Sequence, residues 1–175
     1  MTARPGAIAG VVPGSDTHDM SKVYQEGIIA GLIGAATVAF WFLLVDTLTG
    51  RPLYTPTVLG AALFRGGAGL TAPAHLPVSW EMVFMYTWVH GLVFCVMGGL
   101  AARLLVFAEK NPNLGFGILL FFVAFEYGFV TAAMLFAEPI LHALAWEAIL
   151  IGNLLAAATM GGYFYSRHPH LTIRP

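Results

Sequence analysis

His90 and Glu126 are the side chains of this sequence best suited to chemistry, because each is an ionisable group inside a long apolar run. Such groups are costly in lipid, and they mark ligand, ion or proton sites by default. His90 lies nine residues past Glu81, and Glu126 lies eleven residues before Ala137. At about 1.5 Å of helix rise per residue, these are depths of ~13 and ~16 Å from the same side. On antiparallel neighbouring helices the two are expected to meet. Tyr86 and Thr87 share a helical face with His90 and extend the polar cluster. Three chemistries suit the group: a buried hydrogen bond that sets helix register, a quinone-facing or proton-relay site, or a metal or haem site.

A second polar set opens the last apolar run. Glu138 and His142 stand one turn apart there and are weak candidates for a metal site at the outer mouth. The plainer reading is a helix cap and a histidine in the wet headgroup layer. A haem between His90 and His142 is disfavoured, because His142 lies only ~5 Å below the start of its span against ~13 Å for His90. The paired Glu-x-x-His of di-iron bundles, a His-Glu-x-x-His motif and a Cys-x-x-Cys-His motif are all missing from the sequence. The lone Cys95 reads as a small packing residue. Asp46 and Arg51 read as a local ion pair at the membrane boundary, and His168 and His170 as solvated tail residues.

Four helices must position these groups. Hydrophobic residues make up 58% of the 175 residues and charged ones 10%, against roughly 25% charged in soluble domains. Uncharged stretches of 19, 21 and 19 residues cover 27–45, 82–102 and 148–166, and the 24-residue run 114–137 carries only Glu126. About 20 apolar residues span a bilayer core. The expected fold is an all-α integral membrane protein with four transmembrane helices over approximately 24–48, 81–106, 114–137 and 139–165. Residues 1–22 read as a cytoplasmic tail without a signal peptide, because they lack an apolar core. Residues 23–175 form one four-helix domain that includes the outer loop 49–80.

Lys and Arg favour the cytoplasmic side. Arg4, Lys22, Arg103, Lys110, Arg167 and Arg174 fall on one side of four crossings, and Arg51 and Arg65 on the other. Both termini are therefore expected to be cytoplasmic. In the outer loop, Thr55-Pro56 reads as an N-cap and first helical residue, and Gly66-Gly67 as a stop. The result is a short interfacial helix over about 56–65 lying on the outer membrane surface, with a cap over the bundle or a docking surface for a partner as alternatives. Gly27, Gly31 and Ala35 recur every four residues. Small residues so spaced let helices approach closely in lipid, either within this bundle or in docking onto another subunit.

With a net charge of −1 and no basic cluster, nucleic acid is not an expected partner. The leading expectation is a small non-catalytic accessory subunit of a larger membrane complex, of respiratory or other redox type, in a prokaryotic cytoplasmic membrane. Its expected partners are membrane lipid, other membrane subunits or a second copy. The alternative is a bundle with its own site centred on His90 and Glu126 for quinone, proton or metal chemistry. A small oligomeric transporter or channel is a further alternative.

Overall fold

The computed structural model describes residues 15–66, 77–111 and 146–168. Within them the chain forms an all-α bundle of three long apolar helices and one short one. Helix α1 covers Ser15–Leu48, α2 Tyr54–Phe64, α3 Trp80–Lys110 and α4 Trp146–Arg167. The membrane-length apolar segments are Met20–Leu48, Trp80–Glu109 and Trp146–Arg167. At its 34 residues, α1 is ~51 Å long, well beyond the ~30 Å hydrocarbon core. It therefore begins earlier than the apolar pattern alone predicts. The expected run 114–137 lies outside the described residues.

Small residues bring α1 and α3 together. A Cβ on Gly27 would fall 2.5 Å from the Gly99 Cα and 2.7 Å from the Gly98 carbonyl oxygen. One on Gly31 would strike the Phe94 carbonyl, and Ala35 is buried next along the ladder. Partners Gly27–Gly98, Gly31–Phe94 and Ala35–His90 step in opposite directions along the two helices, so α1 and α3 are antiparallel. The geometry thus places the ladder Gly27, Gly31 and Ala35 at an interface within the chain. Cys95 belongs to the same contact, its Cα 2.7 Å from that added Gly31 Cβ.

Polar contacts fix α4 on another side of α1. Trp41 Nε1 donates to the Ala148 carbonyl at 2.8 Å, and the hydroxyls of Thr37 and Thr159 lie 3.1 Å apart. Near the other end, Arg167 reaches Glu26 at 3.2 Å. Helix α4 is therefore also antiparallel to α1, and it runs in the same direction as α3. Asn111, just past α3, and Trp146, at the start of α4, consequently stand at opposite ends of the bundle.

Helix α2 packs onto the end of the bundle where α1 finishes and α3 begins. Val58 is fully buried, and its cluster with Tyr54 includes Leu59, Ala62 and Ile149 of α4. Gly60 sits where a Cβ would be 2.6 Å from the Met82 carbonyl oxygen of α3. These contacts make the helix a cap over the bundle, one of the alternatives to a helix lying free on the membrane surface. Its start also differs from the sequence reading: the N-cap position belongs to Leu53, with φ 63°, and Thr55 is already helical. Its stop is close to expectation, with Arg65 as the C-cap and Gly66 in the left-handed region at φ 56°.

Candidate functional site

Where α1, α2 and α3 meet, they leave a pocket of about 400 Å3. Ala36, Ala39, Phe40 and Leu43 of α1 supply much of its apolar wall, with Leu59 of α2 and Val83 of α3. Five side chains bring polar atoms: Asp46, Thr55, Tyr86, Thr87 and His90. Ala35, which touches His90, and Asp46 are eleven residues apart on α1. The polar groups are thus spread over ~16 Å along the α1 axis. Phe40 is 71% exposed and Leu43 43%, so this wall continues onto the exposed apolar surface of α1.

His90 is held by three contacts. Its Nε2 lies 3.4 Å from the Ala35 carbonyl oxygen across the α1–α3 interface. Tyr86, one turn earlier on α3, stacks on the imidazole with ring centroids 5.6 Å apart and planes at 28°. Phe94, one turn later, meets the other side at 4.7 Å and 50°. The four-residue spacing of Tyr86, His90 and Phe94 puts all three rings on one helical face. The shared face expected for Tyr86, Thr87 and His90 is therefore part of one pocket wall.

Asp46 is the site residue whose role the sequence reading missed. It is only 3% exposed. Its Oδ2 accepts the Thr55 backbone N–H at 2.7 Å, and its Oδ1 accepts the Thr55 hydroxyl at 2.7 Å. A carboxylate from the end of α1 thereby caps the first turn of α2, where free N–H groups and the helix dipole favour negative charge. Arg51 acts on Asp46 only through longer-range attraction rather than the expected direct ion pair, and its guanidinium lies 4.1 Å over the Tyr54 ring. The signal becomes visible only once the helix is known to start at Tyr54. Leu53 precedes the helix and has no side-chain oxygen to cap it, and Asp46 is the nearest upstream carboxylate.

Glu126, expected beside His90, lies outside the described residues, as do the weak metal candidates Glu138 and His142. Among the described residues, no three His, Cys, Asp or Glu side chains converge as metal ligands.

A second polar cluster joins the far ends of the long helices. His168 Nδ1 lies 2.8 Å from Glu109 of α3, and its Nε2 lies 3.2 Å from Glu26 of α1. Arg167 pairs with the other oxygen of Glu26, and Arg103 donates to the Tyr24 hydroxyl at 2.7 Å. His168 is thus a tie between three helix ends, where the sequence reading had a solvated tail residue. Nothing in local spacing links positions 26, 109 and 168; only the helix directions do. Comparison of the chain with protein-family models, curated proteins and solved structures finds no match.

Proposed function

We propose that this integral membrane bundle holds a lipid-soluble small molecule of the quinone class in the pocket beside His90. The carrying observation is the pocket itself: about 400 Å3 of mostly apolar space with a few polar groups on its walls. That is the size and chemistry of a small-molecule site, which typically encloses ~300–1,000 Å3 and orients its ligand with few polar contacts. A flat ring carrying oxygen substituents suits the aromatic and polar groups at His90, Tyr86 and Thr87. An apolar tail suits the route along Phe40 and Leu43 into the bilayer.

The test is photolabelling of the purified chain in lipid by an alkyl benzoquinone bearing a diazirine. Labelled peptides should map to 36–43 of α1 and 83–90 of α3, and excess unlabelled quinone should suppress them. Labelling spread evenly over all lipid-facing helices, or unmoved by competitor, would reject the site.

Our reading of the whole chain has four crossings with both termini cytoplasmic, in a prokaryotic cytoplasmic membrane. It is supported by the opposite positions of Asn111 and Trp146, by the apolar run 114–137 between them, and by the six-to-two split of Lys and Arg. An accessory role within a larger membrane complex is proposed on the sequence alone. It is compatible with the pocket, since a neighbouring subunit would then share the ligand. Co-purification with a tagged copy tests it.

A further inference from the structure

The polar groups of the pocket have already committed most of their protons. The Thr55 hydroxyl donates to Asp46 Oδ1, and the Thr87 hydroxyl donates to the Val83 carbonyl at 2.7 Å. A hydroxyl has one proton and two lone pairs, so each of these oxygens has only acceptor capacity left. The Asp46 carboxylate has two oxygens and about four acceptor positions, of which the Thr55 N–H and O–H fill two. At His90 the partner is a carbonyl, which only accepts, so Nε2 must carry the ring proton in that contact. A neutral imidazole has a single N–H, and Nδ1 is then an acceptor. Of the five polar side chains, Tyr86 alone adds a phenolic donor whose proton is not assigned by these bonds.

Resting on the proposed function above, we infer that this pocket selects a hydrogen-bond donor: a hydroxylated ring, such as a phenol or the hydroquinone form, over the carbonyl-only quinone. The Tyr86 hydroxyl can serve one ring oxygen, but a quinone oxygen set against any of the other four groups meets an acceptor and leaves its lone pairs unmatched. In apolar surroundings that mismatch is expensive, because no water is there to relieve it. A ring hydroxyl turns the same contact into a bond. Sites built around buried polar groups discriminate strongly between ligands that do and do not complete those bonds.

Three probes of similar size separate the possibilities: 4-decylphenol, its methyl ether and a decyl benzoquinone. Each is added to the full chain in phosphatidylcholine nanodiscs, and thermal stabilisation is followed against probe mole fraction in the bilayer. The phenol is expected to act at a mole fraction at least about ten-fold lower than either donor-free probe, the ratio set by one well-made polar contact. Two variants that keep the pocket's shape, His90→Phe and Thr87→Val, are each expected to narrow that ratio. Equal action of all three probes overturns the donor preference and leaves the pocket reading standing. Action by none of them overturns both. A ratio preserved in both variants overturns the assignment of the preference to these acceptors.

Discussion

Replacing Gly31 by alanine adds one methyl group, and the structure gives it nowhere to go. Besides striking the Phe94 carbonyl oxygen, the new Cβ would lie 2.6 Å from the Phe94 carbonyl carbon and 2.7 Å from the Cys95 Cα. Carbon atoms prefer a separation of about 3.5–4.0 Å, so the shortfall is ~1 Å. The atoms in the way are helix backbone, which cannot swing aside as a side-chain end can. Helix α1 must therefore move off α3, loosening the contacts at Gly27 and Ala35 with it. Overpacking of this kind costs ~1–3 kcal/mol, and backbone collisions fall at the upper end. Alanine returns ~1 kcal/mol through its better helix propensity. The net expectation is a loss of ~2 kcal/mol, or ~30-fold in the unfolding equilibrium. Gly91 is the control, because among the described residues nothing lies within 4 Å of a Cβ added there. Gly91→Ala is expected to be neutral or slightly stabilising. Reversible unfolding in mixed micelles of rising dodecyl sulfate content, followed by tryptophan fluorescence, measures both. The reasoning fails if Gly31→Ala unfolds with the wild type, or if Gly91→Ala loses as much.

Three further outcomes follow from the same contacts. Asp46→Ala removes both bonds to Thr55 and is expected to destabilise α2 by ~2 kcal/mol, the scale of a charged cap in a buried setting; faster amide exchange over Tyr54–Phe64, with α3 unchanged, is the signature. Trp41→Phe loses the indole bond to Ala148 across α1 and α4, and its cost should be ~0.6 kcal/mol and below ~1.7, as for interhelical bonds in membranes; a larger loss in the micelle assay would mean that packing dominates there. Cysteine placed at Arg65 should react with an impermeant reagent added outside cells and cysteine at Lys22 should not, and the reverse pattern would invert the orientation.

The long helices were legible because bilayer-length runs without charge have one physical solution: every backbone polar group must be bonded within the segment. The His90 face was legible too, since Tyr86, Thr87 and His90 are neighbours by helical period alone. What escaped the sequence depends on contacts between elements. Asp46 reads as the partner of nearby Arg51 until α2 is seen to turn its uncapped first turn onto the carboxylate. His168 reads as tail until the common direction of α3 and α4 brings it to Glu26 and Glu109. The Gly27–Gly31–Ala35 ladder announced a close approach, yet only the α1–α3 register says against which helix.

The most direct measurement of the central claim is the small-molecule content of the purified chain. Protein is extracted gently, its bound lipophiles are released into organic solvent, and the extract is quantified by mass spectrometry beside an Ala39→Phe variant whose added ring occupies the pocket wall. A ring-bearing lipophile is expected near one equivalent per wild-type chain, and it is expected to be lost from an Ala39→Phe protein that still folds. Equal amounts of every lipophile in the two samples would contradict it.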